Sequence, residues 1–201
     1  MGFLKAVGER ISRHPILFLF VRRILENDFA VIRALIQREL RTRQGLRTLD
    51  LACGPGTFSR LFEGDDYVGA DLDARHIDHA RRRRQGAFVV VDARMSDLPD
   101  ARFDQVLIFG LLHRLHDDDV RAVLAEARRV LVPGGRLLVI AEMCPVSPPN
   151  LIGRLIRRIE GAEHVRRPEE YRRLFAAAAG MEHEETLHSG VRDYYAAVLS
   201  V

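Results

Sequence analysis

The sequence predicts an α/β fold: a parallel sheet covered by helices on both faces. Two observations carry this. From Thr48 onward short apolar runs alternate with amphipathic stretches, and continuous apolar strands between helices belong to a sheet buried on both sides. The first apolar run ends in a glycine-rich turn, LACGPGTF. A doubly wound sheet opens its ligand crevice at such a turn, at the carboxyl ends of its strands. With 201 residues the chain suffices for one such domain and hardly for two.

In order along the chain, residues 1–44 read as helical. Apolar residues recur at Phe3, Leu4, Val7 and Ile11, then at Ile24, Leu25, Ile32, Leu35, Ile36 and Leu40. Pro15 divides this segment into two helices. It is expected to form a helical layer or a lid, with residues 45–201 as the main domain. Strands are expected at 48–52, 67–70, 88–91, 105–109 and 136–141, and helices at 58–62, 74–83 and 117–130. The arginine run Arg81 to Arg84 closes the second of those helices, where positive charge suits the macrodipole. MEHEETLHSG and VRDYYAAVLSV alternate polar with apolar and meet at Ser189-Gly190, which predicts a β-hairpin.

Composition narrows the function classes. The chain is 47% hydrophobic and 29% charged, with net charge +3, as an ordinary globular protein is. So mild an excess does not argue for nucleic acid. Lys5 is the only lysine, so nearly all the basic residues are arginine. Cys53 and Cys144 have no zinc or disulfide spacing, which points to a reducing compartment, the cytoplasm. The run ILFLFV from Ile16 is too short to span a membrane and makes a poor signal peptide. No stable membrane insertion is expected.

The glycine turn is neither G-x-G-x-x-G, since Ser59 takes the third position, nor a P-loop, since the Gly-Lys-Ser/Thr end is missing. A dinucleotide or triphosphate is therefore disfavoured. Three successive strands each end in an acid: Asp50, Asp71 and Asp92. An acid at the second strand end can accept both hydrogens of a ribose diol. Asp92, or the backbone beside it, can bond an adenine amine. Each alone can be a helix cap or turn residue; three at the same end of one sheet argue for a nucleoside-like ligand.

With these motifs the sequence resembles the class I S-adenosylmethionine-dependent methyltransferases. LDLACGPG matches their glycine-rich motif, GADLD the ribose-binding acid and VDARMSDLP the adenine-side segment. FDQVLIFGLLHRLHD then matches the fourth strand and its exit, and ARRVLVPGGRLLV the following helix, turn and fifth strand. The resemblance implies a doubly wound, Rossmann-like sheet of seven strands, ordered 3-2-1-4-5-7-6 with the last antiparallel, and S-adenosyl-L-methionine as cofactor. It places Gly54 and Gly56 at the methionine end, with Asp50 holding their turn. Asp71 falls at the ribose, Asp92 and Ala93 at the adenine, Leu72 or Met95 on a ring face, and Phe109 with Gly110 beneath the sulfonium. Ala52 joins this cofactor-facing set as a departure, because the family most often has glycine there.

The expected reaction is in-line methyl transfer to the O, N or C atom of a small-molecule acceptor. A hydroxyl acceptor needs a base, and His is the usual one near neutral pH. His113, just after the fourth strand, is the first candidate; His164 is the second. No metal site is expected from His113, His116 and Asp117. The acceptor site falls to the N-terminal helices and residues 143–168. There the apolar face of Leu151, Ile152, Leu155, Ile156 and Ile159, with Arg154, Arg157, Arg158, Arg166 and Arg167 nearby, suits an acceptor with an apolar body and an anionic group. No nucleic-acid partner is expected, since FGLLHR replaces the Asn/Asp-Pro-Pro-Tyr/Phe of amino-DNA enzymes. The chain is expected to act as a monomer or homodimer. The rival readings are a non-catalytic cofactor-binding partner or regulator, and a methyltransferase acting on nucleic acid or protein.

Overall fold

The computed structural model describes residues 24–144, 164–176 and 180–200. A short left-handed turn, Asn27–Phe29, leads into helix α1, Ala30–Glu39. Then follow β1 (Arg47–Leu51), β2 (Asp66–Asp71), α2 (Ala74–Arg83), β3 (Ala87–Val90) and β4 (Phe103–Phe109). Next come α3 (Asp117–Val130), β5 (Leu131–Glu142), α4 (Pro168–Ala176), β6 (Gly180–Ser189) and β7 (Arg192–Ser200).

The seven strands form one sheet in the order 3-2-1-4-5-7-6, with β7 antiparallel to both β5 and β6, as the sequence led us to expect. Alternation along β1 sends Leu49 and Leu51 to one face, beneath α3 and α4. On the other face Leu107, Leu138 and Ile140 lie beneath α1 and α2, where Ile32, Leu35, Ile36 and Ile77 are buried. Helix α1 is thus a layer on the sheet. The expected break at Pro15 and any lid built from residues 1–23 lie outside the described residues.

The ends of α3 agree with its dipole: Asp117, Asp118 and Asp119 fill the first turn, and Arg128 and Arg129 the last. Two elements differ from the sequence expectation. The helix expected over 58–62 is only a 3₁₀ turn, Ser59–Phe62, since six residues between Gly56 and the loop at Glu63 leave little room for an α-helix. The Pro-Gly-Gly stretch expected as a turn is drawn into the start of β5, beside a register shift at Phe103 and Gln105. No helix among the described residues is long and apolar enough to cross a membrane.

The chain before α1 is fastened to the β6–β7 hairpin. Val191 N–H donates to the Leu25 carbonyl at 2.9 Å, and the Ser189 hydroxyl to the Glu26 carbonyl at 3.1 Å. Gly190 sits between them at φ +60°, and a Cβ there would lie 1.9 Å from the Leu25 oxygen. Gly190→Ala adds left-handed backbone cost to a steric clash, so we expect a loss of about 2–4 kcal/mol in denaturant unfolding. A conservative change at the exposed hairpin residue His183 should leave the midpoint in place.

Candidate functional site

Just past β1 the backbone turns through three positive φ values, Ala52 at +70°, Gly54 at +55° and Gly56 at +71°. The N–H groups of Ala52 and Cys53 converge on the Ala70 carbonyl of β2, at 2.7 and 3.0 Å. The two glycines do different work. A Cβ on Gly54 would meet nothing within 4 Å, so its bare backbone faces open space. A Cβ on Gly56 would press on Arg84 and Phe88, at 3.0 and 3.1 Å. Gly56 therefore packs the turn onto β3 and lines neither cavity. Ala52 holds a conformation that costs a non-glycine residue about 1–2 kcal/mol, so the departure at this position is not neutral.

Two cavities open over the carboxyl ends of the strands, of about 540 and 230 Å³. Asp50, Gly54 and Phe109 line the larger, and Asp92 and Ala93 the smaller. Ala52, Asp71 and Leu72 line both. Asp71 is the joint between them. One carboxylate oxygen accepts the Gly54 N–H at 2.8 Å and the other the Asp73 N–H at 2.9 Å. A carboxylate offers about four lone pairs, so two acceptor sites remain. Asp73 caps α2, and the Arg75 guanidinium on its carboxylate holds its pKa down at about 2.

Asp50 is 1% exposed and accepts the Tyr67 hydroxyl at 2.8 Å. Burial dominates its titration and pushes its pKa up to about 7, with the Asp71 charge adding to the rise. Cys53 is buried in the same floor, which pushes its thiol well up and leaves it a packing group. On the loop after β3, Arg94 places a fork on Asp92 and reaches Asp119 at 3.0 Å. That guanidinium keeps the Asp92 carboxyl below the usual carboxylate range.

The sequence analysis passed over the apolar wall of the larger cavity. Phe29, Phe58 and Phe109 meet edge-to-face with centroids 5.1–5.9 Å apart. Phe29 comes from a stretch with no motif and is 80 positions from Phe109 in sequence, so no local pattern announces the contact.

The candidate histidines cluster just past β4, but neither His113 nor His164 lines either described cavity. His113, 3% exposed, lies with Nε2 4.0 Å from a carboxylate oxygen of Glu142. Arg192 bonds the same oxygen, and its Nε stands 3.6 Å from Glu26. His164 donates its backbone N–H to the His113 carbonyl, and its ring packs 3.9 Å from that of His116. Asp117 turns instead to Arg166.

Arg166 corrects the sequence-based assignment of an anion-binding residue. It is 7% exposed, and every donor of its guanidinium is spent. Nη1 donates to the Leu112 and His164 carbonyls, Nη2 to the Leu115 carbonyl and Asp117, and Nε to Asp117, at 2.6–3.1 Å. The group clamps the turn after β4 and has no donor left for an acceptor. Arg154, Arg157, Arg158 and the apolar face 151–159 lie outside the described residues.

Residues 48–135 match a family model described as a methyltransferase domain. That segment, just under half of the chain, is similar to methyltransferase domains. Demethylmenaquinone methyltransferase of Beutenbergia cavernae is 40% identical over 114 residues, which are 55% of this chain and 46% of that one. The chain spans about half the length of such curated relatives. Among solved structures, a Pyrococcus horikoshii protein superposes with TM-score 0.66 at 24% identity, covering 89% of this chain and 95% of that one. Geranyl diphosphate C-methyltransferase of Streptomyces coelicolor superposes at 0.69 with 15% identity, covering 86% and 80%. These superpositions show a fold shared over most of this chain.

The site yields two stability tests. The folded-state pKa of Asp50 is raised, so the folded protein binds more protons than the unfolded chain between about pH 4 and 7. The stabilisation by protonated Asp50 is therefore whole below pH 4 and lost as pH rises to about 7. Unfolding free energies of the wild type minus those of Asp50→Asn should fall across that window, by about 1 kcal/mol per pH unit. Separately, Arg166→Ala leaves buried carbonyls and Asp117 without their cation and should cost about 3–5 kcal/mol. Arg166→Lys, with fewer donors, should fall between the two.

Proposed function

We propose that this chain transfers a methyl group from S-adenosyl-L-methionine to a small-molecule acceptor with an apolar body. One observation carries the reading: Asp71, tied to Gly54 and standing between two cavities, keeps two acceptor sites for a vicinal diol. The residues fit that cofactor. Asp71 would hold the ribose hydroxyls, Asp92 and Ala93 the adenine edge, and Gly54 with Phe109 would border the methionine end. Leu72 is 67% exposed in both linings, an apolar side chain placed to cover a ring face. When bound, S-adenosyl-L-methionine supplies a methyl group on a sulfonium, already activated toward displacement.

The chain's own task is then to position the acceptor and exclude water. The Phe29–Phe58–Phe109 wall suits an apolar acceptor, and Arg114 in the same lining suits an anionic group on it. The curated relative named for demethylmenaquinone, an apolar molecule, agrees with that class. In this reading Phe29, just before α1, brings the N-terminal part of the described chain to the wall. For a hydroxyl acceptor, His113 is the proposed base. It lies in the turn between Leu111 and Arg114, which line the larger cavity, with Glu142 4.0 Å from its ring. His164 is the poorer base, since its ring packs on exposed His116 at the outside of the cluster.

The test is titration calorimetry with S-adenosylhomocysteine and with NAD. The expected outcome is micromolar binding of the first alone, weakened at least about tenfold in Asp71→Ala. Labelled methyl donor with a panel of quinols, phenols and acids then reads turnover. A folded sample that ignores S-adenosylhomocysteine overturns the reading. Binding without transfer to any acceptor class would favour a regulatory partner.

A further inference from the structure

We propose that Arg94 determines which base the smaller cavity admits, by fixing the Asp92 carboxylate as an acceptor of set direction. The inference rests on the cofactor reading above and names a residue that the reading does not use. Asp92 ends a four-residue edge strand by two positions, on a loop where a lone side chain has several rotamers open to it. Arg94 removes that freedom. Its backbone N–H donates to Oδ1 at 2.9 Å, Nε shares its one hydrogen between Oδ1 at 3.0 Å and Oδ2 at 3.2 Å, and Nη2 donates to Oδ2 at 2.6 Å, so three N–H groups are spent on the carboxylate. Its remaining terminal nitrogen is held 3.0 Å from Asp119, in the first turn of α3. The guanidinium is pinned at both ends, and it pins Asp92 in turn. Asp92, Ala93 and Arg94 all line the smaller cavity.

The consequence for a ligand follows from counting acceptors. Of about four lone pairs on the carboxylate, Arg94 engages three. The one left over can only accept. A group that meets it must donate, as the exocyclic amine of adenine does. Hypoxanthine carries a carbonyl at that position, and two acceptors then face each other with neither hydrogen-bonded. A site built to bond one polar group discriminates against its polar opposite for this reason. Without the fork, Asp92 is free to turn away or to bond water, and the choice of base weakens. Asp119 extends the device: the loop that reads the base is braced against α3 rather than left on the sheet edge.

Calorimetry with S-adenosylhomocysteine and with its deaminated counterpart, S-inosylhomocysteine, tests this without an acceptor. The wild type should favour the adenine compound by at least about tenfold. In Arg94→Ala the ratio should fall to about threefold or less, with thermal unfolding little changed because the fork is at the surface. Arg94→Lys keeps the charge without the planar fork and should not restore the ratio. A wild-type ratio near one, a ratio that survives Arg94→Ala, or one fully restored by Arg94→Lys overturns the role of Arg94 and leaves the cofactor reading standing. A folded wild type that binds neither compound overturns both.

Discussion

The hydrogen bond from the Gly54 N–H to Asp71 closes the glycine turn against the end of β2, and both cavities take their outline from it. It is possible because β1 and β2 run parallel with Leu51 beside Ala70, which brings the two strand ends level. The Ala70 carbonyl receives the N–H groups of Ala52 and Cys53, so the two residues before Gly54 are held to the same strand end. With that tether in place, the positive φ values at Ala52, Gly54 and Gly56 are fixed by the surroundings rather than chosen by each residue. Asp71 is thus structural support and candidate ligand contact at once. Its backbone bonds use half of its accepting capacity and orient the remainder.

The two ends of the sheet handle charge differently. At the amino ends of the strands the ion pairs are open to water, such as Arg47 with Asp104 and Arg102 with Asp66. Such pairs are worth little to stability. At the carboxyl ends, titratable groups are buried in numbers: Asp50, Glu142, Arg192, Glu26 and His113 are each 3% exposed or less. Desolvating them opposes folding, and hydrophobic residues of similar size would cost less. Their concentration at the end where the cavities open is what a site demands and a core does not.

Much of this was legible in the chain. The strands reveal themselves by apolar runs, and Asp50, Asp71 and Asp92 by their common position at strand ends. The sheet order followed from the resemblance, not from periodicity. What stayed hidden depends on contacts made across the fold. Phe29 and Phe58 join Phe109 only once α1 lies on the sheet. Gly56 reads as a second ligand-side glycine until Arg84 and Phe88 are seen against it. Arg166 looked like one member of a basic cluster suited to an anion. Only the folded chain shows that its partners are backbone carbonyls nearly fifty positions or more away, apart from that of His164. Backbone acceptors leave no trace in residue identity, so no reading of side chains finds such a clamp.

Arg166 also limits how the domain can be divided. It belongs to the stretch before α4, yet four of its five donors serve the turn after β4 and the first residue of α3. Its own carbonyl holds the Cys144 N–H at the exit of β5, and its guanidinium lies over the Tyr171 ring. Three loops at the mouth of the site therefore behave as one exchangeable cassette. A chimera that imports the turn after β4 from a relative, to borrow its choice of acceptor, would strand the guanidinium unless the segment around residues 164–171 came with it.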